Sequence, residues 1–220
     1  VRRAGVDVRT GARVTAIEIE DALAAQLPHT VAELQPAAAD RLAVLHADAL
    51  DVTELPGPRP TMVVANLPYN VATPLVCDLL DGVPKIERML VMVQREAAER
   101  FCGTPRTPQY GAVTVKISYW ATARIVGHVP ASVFVPRPNV ESSLAEIRRL
   151  PQPATTAPAA DLFHLVRTAF GQRRKMLRRS LSEVVPPEVF EAAGIDNKRR
   201  PEELDVHEWG RLTLAWNAAR

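Results

Sequence analysis

The nine residues Met62-Val63-Val64-Ala65-Asn66-Leu67-Pro68-Tyr69-Asn70 restrict what this chain can fold into more than any other stretch. Four apolar residues, two of them β-branched, specify a buried strand, and Pro68, lacking a backbone N–H, cannot carry a sheet ladder onward. An amide, a kink and an aromatic ring thus stand together at a strand's carboxyl end, where ligands bind in open α/β sheets. These residue types suit reaction at a planar exocyclic amine such as adenine N6, whose lone pair is delocalised into the ring. The Asn66 side-chain oxygen and the Pro68 carbonyl are two acceptors that can draw the nitrogen toward tetrahedral geometry. Tyr69 can stack on the base, which must first leave its helix. Without context the same residues read equally well as a strand-ending turn, since Asn and Pro are common in turns.

The chain has 220 residues, 47% hydrophobic and 24% charged, an ordinary globular composition with length for one sizeable core and a small satellite domain. No apolar run approaches the ~20 residues that span a bilayer, and no basic-then-apolar leader opens the chain, so a cytoplasmic protein is expected. Cys77 and Cys102 have neither CxxC spacing nor clustered histidines and read as free thiols, with no metal site. A net charge of +2 excludes a uniformly basic surface, but Leu162 to Ser182 carries six basic residues and no acid. Such a local footprint suits phosphate binding.

Gly11 to Glu18 reads as a turn and a short strand ending in an acid, the place from which a carboxylate accepts ribose hydroxyls in doubly wound nucleotide-binding folds. A helix is expected over Asp21–Leu34 with Leu23, Leu27, Val31 and Leu34 on its apolar face. Leu42 to Leu45 is a further strand, beyond which Asp48 stands at a strand's end. Met89 to Val93 is a buried strand, Arg95 to Phe101 a helix with a charged outer side, and Gly103 to Tyr110 a loop. Val113 to Trp120 and Arg124 to Val129 are expected to carry the sheet toward its far edge, and Glu141 to Arg148, alternating as a strand, to close the domain. Pro151 to Pro158 marks a domain boundary. Beyond it, apolar residues from Leu162 to Leu181 keep helical spacing, yet Arg173 and Arg174 fall on the apolar face, which implies a bend near Gly171. Phe190, Leu204, Trp209 and Leu212 belong to short helices packing on this one.

Asn66-Leu67-Pro68-Tyr69 resembles the signature of the ribosomal RNA adenine N6-dimethyltransferases, and the chain is similar to the bacterial small-subunit (KsgA-type) branch. Ala16-Ile17-Glu18-Ile19-Glu20, Val133-Phe134-Val135-Pro136-Arg137-Pro138-Asn139-Val140 and Ala169-Phe170-Gly171-Gln172-Arg173-Arg174-Lys175 follow in the family's order. The resemblance implies an α/β fold: a Rossmann-like seven-stranded class I methyltransferase sheet over residues 1–150, then a helical RNA-binding domain over 156–220. It implies S-adenosylmethionine as methyl donor, held by Glu18, Ile19, Asp48, Ala49 and Asn66. Asn66, Pro68, Tyr69 and Phe134 would hold the target base, Phe134 on the face opposite Tyr69, and the loop at Gly103 to Tyr110 would lie near the RNA. Arg173, Arg174, Lys175, Arg178 and Arg179 would bind the RNA. The implied partner is small-subunit rRNA in an immature 30S particle, met by a monomer, with no membrane and no metal.

The beginning of the chain departs from this pattern. The family holds the methyl donor on a first, central strand and a glycine-rich turn, whereas here Val6-Asp7-Val8-Arg9-Thr10 runs directly into Gly11-Ala12-Arg13 and no GxGxG occurs anywhere. Omission of a segment between about Thr10 and Gly11, and of residues before Val1, is expected. Without the first strand, a gap with unpaired backbone groups is expected in the middle of the sheet. Two other readings stand beside the first: a large-subunit adenine N6-methyltransferase of the antibiotic-resistance type, and a noncatalytic small-subunit assembly factor.

Overall fold

Turn residues and apolar runs set the element boundaries along most of the chain. The computed structural model describes residues 11–220, so the junction of Thr10 with Gly11 lies outside the described residues. Two compact units result, Val1–Arg59 and Pro60–Arg220.

In the first unit β1 (Val14–Glu18) pairs in parallel with β2 (Leu42–His46), Glu18 standing opposite His46. Parallel neighbours need a crossover, here α1 (Asp21–Leu34) followed by a 3₁₀ turn over Pro36–Arg41. The helix forms where its spacing predicts. Its apolar face, however, is only partly covered among the described residues: Leu27 and Val31 are half-buried, Leu23 and Leu34 are each 59% exposed, and Ala24 is the helix's one buried residue. A pair of five-residue strands offers too little surface to cover the stripe.

The second unit holds a four-stranded sheet in the order β3-β4-β6-β5, from β3 (Met62–Asn66), β4 (Arg88–Gln94), β5 (Ala121–Val129) and β6 (Ser142–Arg149). β3 and β4 are parallel, joined through α2 (Ala72–Gly82), while β6 is antiparallel to both β4 and β5. Alternation along β4 is clean: Met89, Val91 and Val93 are at most 1% exposed, on the face shared with Ala145 and Ile147. That face meets α3 (Arg95–Phe101) and α4 (Ala112–Trp120). Among the described residues there are therefore six strands in two separate sheets, and β1 and β3 each have a neighbour on one side only.

Two expectations are corrected. β3 is not a buried strand, since Met62 is 50% and Val64 48% exposed; the strand stands at the sheet's edge, on the face opposite the helices. Residues 112–120 form the helix α4 rather than sheet. Their β-branched residues alternate as in a strand, but α4 is buried or half-buried all round and so carries no one-sided apolar stripe to read. Its start is set by polar chemistry instead: the Gly111 N–H donates to Thr114 Oγ1 (3.1 Å), whose hydroxyl donates to the Arg100 carbonyl (2.6 Å).

The C-terminal residues form α5 (Ala159–Phe170), α6 (Leu177–Ser180), α7 (Pro187–Ala192) and α8 (Val206–Ala218). As expected, the helix stops at Gly171; Arg173, Arg174 and Lys175 fall in the bend, and Arg178 and Arg179 follow in α6. One cluster joins Tyr110, Val115 and Tyr119 to Leu162, Leu165, Phe190, Trp209 and Leu212. The Pro151 to Pro158 stretch is tied into it, Ala154 N donating to the Tyr119 carbonyl (2.9 Å) and the Tyr119 hydroxyl to the Ala157 carbonyl (2.8 Å). α8 tolerates this crossing because Gly210 has no Cβ, which would collide with the Thr155 side chain.

Candidate functional site

The strand-ending motif at β3 is built as a sequence of backbone choices. Leu67 extends the ladder by one bond, its N–H donating to the Met92 carbonyl (3.0 Å), and its side chain is buried. Pro68, without an N–H, ends the ladder. The Pro68 carbonyl then accepts from Val71 N (3.1 Å) and Ala72 N (3.0 Å), starting α2. Both of its lone pairs are engaged, so the acceptor expected at Pro68 is not available to a ligand. Among the described residues the Leu67 carbonyl has no partner, and neither does the exposed Asn66 side chain. Among the described residues, two free acceptors on consecutive residues, the Asn66 side-chain oxygen and the Leu67 carbonyl, thus stand at the carboxyl end of β3. Sequence alone does not show this, because the choice depends on which carbonyl the following helix consumes.

Tyr69 is half-buried, and its hydroxyl is hydrogen-bonded to Ser142 Oγ (2.9 Å) at the start of β6. The connection from β5 to β6 carries Phe134, half-buried, with extended backbone (φ −101°, ψ 146°). Neither Tyr69 nor Phe134 stacks on another ring among the described residues. A cavity of about 400 Å³ opens in this loop, lined by Pro130, Ala131, Arg137 and Asn139 among others. The loop's exit is pinned: Arg95 N donates to the Glu141 carbonyl (2.9 Å) and Arg95 Nη1 to Glu141 Oε2 (3.0 Å).

In the first unit two carboxylates stand beyond adjacent parallel strands. Glu18 Oε1 accepts from Glu20 N (2.9 Å), and Asp48 Oδ1 accepts from Leu50 N (2.9 Å). Each is oriented through one oxygen, and among the described residues the other has no hydrogen-bond partner, a fit to ribose hydroxyls and to an exocyclic amine. Beside them, Ile19 is 60% exposed, its carbonyl engaged by His46 Nε2 (3.0 Å), and Ala49 is half-buried. Among the described residues no His, Cys, Asp and Glu side chains group as metal ligands. Cys77 and Cys102 are free, and burial pushes the Cys77 thiol up to about 11.

The basic bend separates into two kinds of residue. Arg173 is a strut: its Nε donates to Glu202 Oε2 (2.6 Å) and its Nη2 to the Pro108 carbonyl (3.1 Å), holding the loop at Gly103 to Tyr110. Arg174, Lys175, Arg178 and Arg179 are exposed and form no ion pair among the described residues. Two bonds that sequence spacing does not reveal, Leu177 N to the Arg199 carbonyl (2.8 Å) and Arg178 N to the Asn197 carbonyl (2.9 Å), place a second basic run beside the first. Lys198 and Arg200 of that run are exposed.

A family model described as ribosomal RNA adenine dimethylase matches residues 8–217. The chain is 47% identical over 206 residues to the ribosomal RNA small subunit methyltransferase A of Streptomyces coelicolor, covering 91% of this chain and 72% of that protein. The protein of the same name from Thermobifida fusca is 47% identical over 204 residues, covering 90% and 71%. In fold, the chain is similar to a dimethyladenosine transferase from Plasmodium falciparum (TM-score 0.81, 21% identity, 94% of this chain and 82% of that one). It is also similar to the 23S rRNA methyltransferase ErmE (TM-score 0.67, 25% identity, 93% and 82%).

Proposed function

Because the chain belongs to the ribosomal RNA adenine dimethylase family, we propose that it dimethylates N6 of two adjacent adenosines in the 3′-terminal hairpin of small-subunit (16S) rRNA, with S-adenosylmethionine as donor. The observation that carries this reading is the pair of unpartnered acceptors, Asn66 Oδ1 and the Leu67 carbonyl, at the end of β3. Each accepts one amino hydrogen, so that the nitrogen's lone pair is freed from the ring and aimed along one direction. Tyr69 holds one face of the base and Phe134 the other. Glu18 and Asp48, with Ile19 and Ala49 beside them, hold the nucleoside of the donor, which supplies a methyl group on a sulfonium. When bound, the donor would release its methyl group to that lone pair, the sulfur leaving with the electrons of the S–C bond. The cationic amine then loses a proton to water, with no strong general base needed. Positioning of this kind supplies roughly 7 to 11 kcal/mol in favourable cases.

The fold proposed with it is the seven-stranded class I sheet, residues 1–150, with a helical rRNA-binding domain over 156–220. The substrate is the immature 30S particle and the protein acts as a monomer in the cytoplasm; among the described residues no helix is long and apolar enough to cross a membrane. Arg174, Lys175, Arg178 and Arg179 bind the RNA backbone, joined by Lys198 and Arg200.

Asn66→Ala tests the reading. Methyl transfer to immature small subunits should fall by about a hundredfold or more, the usual loss when one preorganised polar group is removed, while RNA binding persists. Full activity in the variant would overturn the role of Asn66. Wild-type protein that prefers naked large-subunit RNA, or that binds small subunits without methylating them, would replace the proposed function.

A further inference from the structure

We propose that Ser142 is a positioning residue that sets the Tyr69 ring for the second of the two methyl transfers to each adenosine; the inference rests on the function proposed above. Ser142 is 1% exposed and is the first residue of β6, paired on one side with Gln94 and on the other with Val129. It is thus held from both flanks by the ladder. The preceding residue, Glu141, is fixed to Arg95 by a backbone bond and a side-chain bond. To this rigid point the Tyr69 hydroxyl is attached, at 2.9 Å from Ser142 Oγ.

The bond joins two segments far apart in sequence. One is the turn carrying Asn66 and Tyr69, and the other is the loop from β5 to β6 that carries Phe134. A phenyl ring would stack on a base as well as a phenol does. The hydroxyl of Tyr69 therefore serves the scaffold, fixing the tilt of the ring against the segment that supplies the opposite face.

Adenine with both amino hydrogens is held by two bonds, to Asn66 Oδ1 and the Leu67 carbonyl, and these alone define the plane of its amine. After the first transfer one hydrogen is gone and one bond remains. Orientation of the monomethylated base then depends on the stacking ring. A ring released from Ser142 should slow the second transfer more than the first, and N6-monomethyladenosine should accumulate.

The test is the pair of single-turnover rates for the two transfers, followed by nucleoside mass spectrometry on immature small subunits, for Ser142→Ala, Tyr69→Phe and the double variant. The ratio of first to second rate should rise roughly five- to tenfold in each single variant, the range expected for loss of one hydrogen bond. The double variant should be no worse than either single one, and Ser142→Thr should restore the ratio. General destabilisation would lower both rates together and leave their ratio unchanged. Should Ser142→Ala fail to fold, Tyr69→Phe at a half-exposed ring carries the test alone. An unchanged ratio, or effects that multiply in the double variant, overturns the role of Ser142 while leaving the proposed function standing. Absence of dimethylation by the wild-type protein overturns both.

Discussion

In the first unit, the crossover helix of a parallel strand pair buries a single alanine, Ala24. In the second, β4 buries Met89, Val91 and Val93 to 1% or less, and Trp209 is wholly enclosed. The helix of the first unit and β4 of the second both form where their local patterns specify, so the difference between them lies elsewhere. β4 has strands on both sides and helices on one face, whereas β1 has one neighbour among the described residues and one thin helix. Periodicity decides which element forms; burial depends on how many neighbours meet it. The candidate site residues divide along the same line: oriented, half-buried carboxylates in the first unit, and the Asn66 motif on an edge strand beside the well-packed β4 in the second.

If that contrast is real, truncations in the two units should differ most in their effect on stability. Trp209→Ala removes a side chain at 0% exposure from the largest cluster and should cost about 3 to 5 kcal/mol in denaturant unfolding. A loss below about 1 kcal/mol would mean that the C-terminal helices are not the packed body described. Arg173 and its basic neighbours sharpen the contrast within the second unit. Arg173→Ala frees the carboxylate of Glu202 and the loop at Pro108, and should destabilise by about 1 to 2 kcal/mol. Replacing Arg174, Lys175, Arg178 and Arg179 together by Ala should leave stability within roughly 0.5 kcal/mol. It should instead reduce the salt dependence of RNA binding, by about 0.7 in logarithmic slope for each phosphate of a single strand that is no longer neutralised. An unchanged slope would make this bend a solvated surface.

A pH titration separates the units further. Glu146 is 2% exposed and is held by Arg148 (3.0 Å), Arg124 (2.6 Å) and Arg88. The bond from Arg148, then those from Arg124 and Arg88, lower its carboxyl from the ordinary 4.5 to about 2 against the opposing effect of burial. A carboxyl with a depressed folded-state pKa stabilises fully above its unfolded value and loses that contribution as pH falls from 4.5 to about 2. Glu146→Gln should lower the unfolding midpoint at neutral pH and flatten its fall across that acid window. Parallel curves for wild type and variant would show that the three arginines do not hold this group.

Much of this is legible in the residues, and the exceptions share a cause. Asn66 at a strand's end, the helix over Asp21–Leu34 and the break at Gly171 follow from local chemistry, since proline, glycine and apolar spacing act within a few residues. The helix α4 reads as strand because burial on every side erases the one-sided stripe that marks a helix. Pro68 reads as a free acceptor because nothing local shows that α2 consumes its carbonyl. Arg173 resembles its neighbours in sequence, and only Glu202, 29 residues on, makes it a strut. Lys198 and Arg200 escape a reading of the sequence for the same reason, being brought beside the bend by two backbone bonds between distant segments.

The smallest expected effect is the most specific to the contrast between the units. Leu23 lies on the face of α1 that the apolar spacing marks for burial, yet it is 59% exposed. Were the spacing alone decisive, Leu23→Ala would remove a buried side chain and cost about 2 to 5 kcal/mol. With most of that side chain already in water, the transfer loss shrinks, no cavity is left, and the better helix propensity of alanine offsets part of the remainder. The variant should therefore unfold within roughly 0.5 kcal/mol of wild type, as judged by denaturant midpoint at constant slope. A loss of several kcal/mol would mean that α1 has a covering neighbour in solution, and the sparse packing of the first unit would not describe the protein as it folds.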